Sequence, residues 1–273
     1  MYKPGTMKIL KAEQKPFHTL SYLQVNSRRE IKKAELPFYK VYVDGMSDEL
    51  NGTVATADLQ GRMEDDELLG IAAAKELDLL SELGEIPALN KMGAILCGDF
   101  YAREKLEKRG GSGDVSGVWK TFSSRFRWVA GVAGNHDLFS PMPDQKAHDT
   151  FVNTPGIHFL DSSWVDLDSL RIAGISGIIG NPGKPFRVTE TGFASVMNSF
   201  LTTKPNLLLL HEGPDGPDQG CQGNAFIRKE LEMVRFPMVA MSGHVQWKPL
   251  MISLSEKVTV LNVHERVVVF LRN

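Results

Sequence analysis

Gly134-Asn135-His136-Asp137 puts a side-chain amide, an imidazole and a carboxylate on consecutive residues, immediately after the apolar run Trp128-Val129-Ala130-Gly131-Val132-Ala133. Such a set can ligate a metal, hold a proton near neutral pH and orient the group that holds it. Other apolar runs end in the same way. Val54-Ala55-Thr56-Ala57 leads into Asp58-Leu59-Gln60, and Ala94-Ile95-Leu96-Cys97 into Gly98-Asp99. Leu207-Leu208-Leu209-Leu210 leads into His211-Glu212-Gly213, and Met238-Val239-Ala240-Met241 into Ser242-Gly243-His244-Val245-Gln246. The donors are carboxylates, imidazoles and side-chain amides, without a thiolate. Mixed oxygen and nitrogen ligation of this kind suits manganese, iron, magnesium or zinc rather than a structural zinc cluster. Two such ions about 3.5–4 Å apart would clamp both oxygens of an in-line displacement at phosphorus.

The elements that carry these donors follow from periodicity. From residue 53 onward, short β-rich apolar segments alternate with longer segments of helical period. The pattern predicts strands over 53–57, 92–97, 127–132, 157–160, 170–175, 206–210 and 237–241, and helices over 64–83, 116–125, 189–202 and 224–234. This alternation predicts an α/β protein with largely buried central strands. In such sheets the site lies beyond the carboxyl ends of the strands, which is where every donor above falls. The tail reads as closely spaced strands over 251–254, 258–263 and 266–271, with turns at 255–257 and 264–265. Residues 1–50 read as an N-terminal extension with one strand over 39–43. No repeat or long linker interrupts the chain, so a single domain over 1–273 is expected.

Taken in order, the motifs resemble those of the calcineurin-like metallophosphoesterases: D-x-H, G-D, G-N-H-[DE], a lone histidine after an apolar strand, and G-H-x-H. The corresponding residues are Asp58-x-Gln60, Gly98-Asp99, Gly134-Asn135-His136-Asp137, His211 and Gly243-His244-Val245-Gln246, spread over roughly residues 53–270. The resemblance implies a two-sheet β-sandwich flanked by helices, in four α/β/β/α layers. It implies metal-dependent hydrolysis of a phosphate ester or phosphoanhydride, with a metal-bound hydroxide as nucleophile. Asp99 would bridge two divalent ions. Asp58, Gln60 and Gln246 would complete one site, and Asn135, His211 and His244 the other. His136 would protonate the leaving oxygen or stabilise charge on the phosphoryl group, with Asp137 orienting it.

Gln60 and Gln246 stand where the family usually has histidine, and by this assignment both serve the same ion. That site would hold only oxygen donors, so it should be labile and prefer manganese, magnesium or calcium to zinc. A glutamine in the first motif also resembles the manganese-dependent ADP-ribose and related diphosphate hydrolases of the family. Manganese is therefore the first expectation, with iron, zinc or magnesium as alternatives. The expected partner is a small phosphorylated substrate, nucleotide-derived compounds included. A second reading stays open, an interaction module built on a phosphoesterase fold whose metal centre has decayed; the intact Gly134-Asn135-His136-Asp137 motif argues against it.

Composition sets the remaining bounds. The 273 residues are 42% hydrophobic and 23% charged, with a net charge of −2. These are the proportions of a soluble globular protein with no basic field to attract nucleic acid or an anionic membrane. Two cysteines and no N-terminal apolar run of signal-peptide length predict a cytoplasmic protein without a disulfide framework. The basic group Arg103, Lys105, Lys108 and Arg109 reads as a solvated face, and residues 109–114 as a flexible connection into the next helix. Arg62 could contact a phosphate oxygen or cap the acidic start of the helix after it. The series Gly174, Gly177, Gly180, Gly183 lacks the following helix of a dinucleotide loop. Glu212 either backs the ligands or faces solvent. His18, His148, His158 and His264 fall outside every motif and read as surface or satisfied core residues. Cys97 reads as an inert buried thiol, and Trp119, Phe122, Phe126 and Trp128 as core.

Overall fold

The continuous apolar runs become strands buried on both faces. In Leu207–Glu212, Leu207 and Leu209 pack into one core and Leu208 and Leu210 into another. Each of these leucines is at most 1% exposed, a burial that contributes about 1.5–3 kcal/mol per side chain. In Met92–Leu96 the same period of two sends Met92, Ala94 and Leu96 to a third core, while Ile95 and the following Cys97 face the core of Leu207 and Leu209.

The structure is a computed structural model that describes residues 7–26, 28–107 and 110–273. Lys108 and Arg109, part of the expected basic face and connecting loop, lie outside the described residues. Two sheets face each other across the middle core, one of eight strands and one of six. In the larger, Gly52–Ala57, Met92–Leu96, Trp128–Gly131 and Ile157–Phe159 run parallel in that order. In the smaller, Leu170–Ile175, Leu207–Glu212, Met238–Gly243 and Val258–Asn262 are parallel, with Ser163–Leu167 and Met251–Ser253 antiparallel at the edges. Helices Leu69–Glu82, Ser116–Ser123 and Gln145–Val152 contribute to the outer core of the first sheet. Glu190–Thr203 and Ala225–Glu232 cover the second. This is the four-layer α/β/β/α arrangement. No helix among the described residues is long and apolar enough to cross a membrane.

The strands of the tail fall where expected, and the chain departs from expectation at its N-terminal end. Residues 8–44 do not stand apart from the sheet. Lys8–Ala12, His18–Val25 and Ile31–Asp44 are three of its strands, and Ile31–Asp44 pairs in parallel with Arg266–Arg272. Arg266–Arg272 also pairs antiparallel with Gly52–Ala57, so it sits between two segments from the start of the chain. Residues 263–265 therefore carry the backbone from the second sheet to the first. The predicted helix over 64–83 begins only at Leu69. Its acidic start forms a turn in which Met63 donates to Glu67 and Asp66 to Met63 through the backbone. Arg62 holds that turn, its guanidinium donating to the backbone oxygens of Asp66, Ala102 and Arg103. Arg62 is 8% exposed and also pairs with the Asp66 carboxylate at 3.5 Å, so of its two expected roles it takes the one that holds the acidic segment ahead of the helix.

Candidate metal centre

The parallel strands bring their carboxyl ends to one edge of the sandwich. Cys97 N–H donates to Thr56 O and Asp58 N–H to Gly98 O, so Asp58 and Asp99 leave neighbouring strands side by side. Both residues adopt left-handed backbone, φ 57° and 60°, and so does His244 at φ 65°. Each such non-glycine residue costs about 1–3 kcal/mol, which surrounding contacts must offset. Here the offset is visible: Asp58 Oδ2 accepts the His244 N–H at 2.8 Å, and Asp99 Oδ1 accepts the His136 N–H at 2.9 Å. The motif glycines permit these approaches. A Cβ on Gly134 would fall 2.0 Å from Asp99 Oδ1, and one on Gly243 2.2 Å from Asp58 Oδ2.

Asp99, His211 and His244 each offer a donor atom within 4.8 Å of the others, a group that could hold a metal ion. His211 is fully buried, and its Nδ1–H donates to Cys97 O at 2.8 Å. That leaves Nε2 turned to Asp99 Oδ2 at 3.3 Å, without a hydrogen bond. Asn135 Oδ1 is likewise buried with no hydrogen-bond partner. A buried polar atom left unpaired is costly, and a cation would satisfy both. Two donors on one ion, each about 2.1 Å from it, stand roughly 3.0–3.4 Å apart, and His211 Nε2 and Asp99 Oδ2 stand 3.3 Å apart. The residues therefore fit a divalent ion.

The electrostatics agree. Burial alone would raise the Asp99 pKa, but His211 and His136 hold it below the usual carboxylate range. Burial disfavours a charged His211, yet Asp99 and then Asp58 push its pKa up to about 10. His244 is held neutral by burial and by the neighbouring His211 charge.

The other expected residues are placed differently from one another. Gln60 reaches the site, but its Nε2 donates to Asp99 Oδ2 at 3.0 Å in place of an inward carbonyl. Gln246 is exposed, and among the described residues no hydrogen bond ties it to the site. His136 is half-buried at the edge of the group. Asp137 corrects an expectation: its carboxylate does not hold the His136 ring. Oδ2 accepts the N–H groups of Asp99 and Gly134, both at 2.8 Å, and Oδ1 accepts that of Phe100 at 2.9 Å. Burial and the Asp99 charge push its pKa up to about 6, with the three amides opposing. Glu212 backs the His211 strand, accepting from Ile179 N–H and from the side chain of Asn224, the N-cap of helix Ala225–Glu232. Cys97 is fully buried and its thiol pKa is raised, as expected of an inert residue.

His264 was not anticipated. Its Nδ1 lies 3.1 Å from Asp58 Oδ2, with the side chain 16% exposed. No local signal marks it, because register places it: Arg266 pairs with Ala57, so the residues just before Arg266 lie over Asp58. His18 and His148 fall outside the site, His18 paired with Glu76 and His148 among Phe139, Phe159 and Phe186.

No protein-family profile and no curated protein matches the chain. Solved structures do. TT1561 of Thermus thermophilus aligns with a TM-score of 0.53 at 15% identity, over 78% of this chain and 88% of that one. The phosphopantetheinyl hydrolase of Mycobacterium tuberculosis aligns with a TM-score of 0.50 at 12% identity, over 79% and 89%. At these identities the likeness speaks to architecture, and it shows that the chain has a metallophosphoesterase-like α/β/β/α fold.

Proposed function

We propose that this protein is a metal-dependent hydrolase of a phosphate ester or phosphoanhydride. The observation that carries the reading is the convergence of Asp99, His211 and His244 from three strand ends, with His211 Nε2 and Asn135 Oδ1 buried and unpaired. The fold shared with a phosphopantetheinyl hydrolase supports the hydrolase class. Asp99, Asn135, His211 and His244 would hold a divalent ion, manganese first and iron, zinc or magnesium as alternatives. When bound, it would supply Lewis acidity at the phosphoryl oxygens and acidify an attacking water. Gln60 fixes the Asp99 carboxylate, Cys97 O fixes the His211 tautomer, and His136 lies at the edge of the group to deliver a proton to the leaving oxygen. The substrate is a small phosphorylated compound, nucleotide derivatives included.

His136→Ala tests the reading. Turnover of bis-p-nitrophenyl phosphate with Mn²⁺ falls by about 10²–10⁴-fold, the usual contribution of a general acid, while bound metal per protein stays near wild type. An unchanged rate, or wild-type hydrolysis that is indifferent to metal, would overturn the reading; a wild type with no turnover at all would favour an interaction module.

Metal binding should also depend on pH. With a pKa of about 10, metal-free His211 carries a proton on both nitrogens at neutral pH, and the ion must displace the one on Nε2. Affinity therefore rises with pH up to the His211 pKa, by about tenfold per pH unit for one displaced proton. Calorimetric titration of the metal-free protein in buffers of different ionisation enthalpy would register that release; a pH-independent affinity would contradict it.

A further inference from the structure

We propose that His264 is a metal ligand, and that with Asp58 it builds a second, nitrogen-bearing half of the centre; the assignment rests on the metal-dependent reading above. Three observations converge on it. His264 Nδ1 stands 3.1 Å from Asp58 Oδ2, yet this buried nitrogen makes no hydrogen bond. The pair thus repeats the signature of His211 Nε2 and Asp99 Oδ2, 3.3 Å apart and also unbonded. Both separations fall within the roughly 3.0–3.4 Å expected of two donors sharing one ion.

The second observation is that the turn carrying His264 is fixed. Ala57 N–H donates to Val263 O and Glu265 N–H to Ala57 O, both at 3.1 Å, so residues on either side of His264 are stitched to the residue before Asp58. Glu265 takes left-handed backbone, φ 46°, to make the turn. Its carboxylate oxygen lies 4.0 Å from His264 Nε2, on the side where the ring proton sits when Nδ1 is the donor atom.

Third, Asp58 and Asp99 leave adjacent parallel strands, and Asp58 Oδ2 also accepts the backbone N–H of His244. The His264–Asp58 pair is therefore continuous with the Asp99, His211 and His244 group through shared backbone, not a separate surface site. One imidazole and one carboxylate, with Asp99 between the two halves, form a mixed nitrogen–oxygen set suited to Mn²⁺, Fe²⁺ or Zn²⁺. The oxygen-only, labile second site expected from Gln60 and Gln246 is replaced by a histidine that arrives from the crossover between the two sheets. Gln246 then has no ligand to supply.

The test is metal stoichiometry, read apart from turnover. Metal-free full-length wild type, H264A, H264N and Q246A are titrated with Mn²⁺ by calorimetry, and the loaded proteins are followed by electron paramagnetic resonance. The wild type and Q246A should take two ions and show the exchange-broadened signal of a coupled pair. Both His264 variants should keep one ion and lose affinity for the other by at least about 100-fold, leaving the signal of an isolated ion. H264N retains polarity in a smaller side chain whose amide is a weaker donor than imidazole and, with thermal unfolding of each metal-free variant, separates lost ligation from lost folding. Two ions bound with unchanged affinity in folded H264A and H264N would overturn the assignment of His264 alone. Loss of the second ion in Q246A with both retained in H264A would return the role to Gln246. A wild type that takes up no ion would overturn the metal-dependent reading, and this assignment with it.

Discussion

Asp99→Ala is expected to strip the centre of bound metal and to lower turnover by at least about 10³-fold, the upper range for removing one preorganised electrostatic element. The expectation follows from how many site residues meet at one carboxylate. Oδ1 accepts the His136 backbone N–H, while Oδ2 receives the Gln60 amide and faces His211 Nε2 at 3.3 Å. The conservative Asp99→Asn keeps the shape but removes the charge. Burial, which already opposes a charged His211, would then lose its largest counterweight, and the His211 pKa would fall from about 10. Metal analysis of the purified variants, steady-state rates and an NMR titration of the imidazole check the three parts. A D99A protein that keeps a tenth of its activity and its full metal content would refute the central role given to this residue.

Asp137→Ala should act on stability before it acts on chemistry. The substitution leaves the N–H groups of Asp99, Phe100 and Gly134 without their acceptor in a place where the carboxylate itself is 1% exposed. Leaving a buried donor unsatisfied costs about 1–3 kcal/mol, so the loss should reach about 3 kcal/mol or more. Against a total stability of about 5–15 kcal/mol that is a large fraction. Asp137→Asn should fare little better, because its NH₂ would meet an N–H where a carboxylate oxygen now accepts one. The shift in the midpoint of urea unfolding, with the slope unchanged, measures the effect. A loss below about 1 kcal/mol, the lower bound for one orphaned donor, with turnover reduced as far as in H136A, would instead assign Asp137 to orienting the His136 ring.

What could be read from the sequence divides along the range of the interactions involved. The buried strands were legible because a strand covered on both faces must be apolar at every position, as in Leu207–Leu210, and period alone then separates it from the helices. Asp58, Asp99, His211 and His244 were legible because each follows such a run directly. Of the three N-terminal strands, only residues 39–43 of Ile31–Asp44 were. Ile31–Asp44 is held by Arg266–Arg272, a pairing across most of the chain that leaves no local mark beyond an amphipathic alternation. His264 was hidden for the same reason: the residue that sits over Asp58 is chosen by the register of Arg266 against Ala57, not by any motif around the histidine. Asp137 was recognised as important and given the wrong partner, and Arg62 was given only part of what it holds, the acidic segment that contains Asp66. Their other partners are backbone groups, which carry no sequence signature.

The position of Arg266–Arg272, between Ile31–Asp44 and Gly52–Ala57, also bears on the order in which the molecule can be made. Two early segments emerge from the ribosome with facing edges that do not pair with one another. Each waits for a strand synthesised more than two hundred residues later. Until then the first sheet has two open edges around a gap, the kind of surface that pairs with other chains, so truncated or stalled chains should be prone to aggregation and dependent on chaperones. His264 emerges just before the strand that closes the gap. Closure of the sheet and completion of the Asp58 side of the centre are therefore one event, and metal capture there waits for Arg266–Arg272 to take its place.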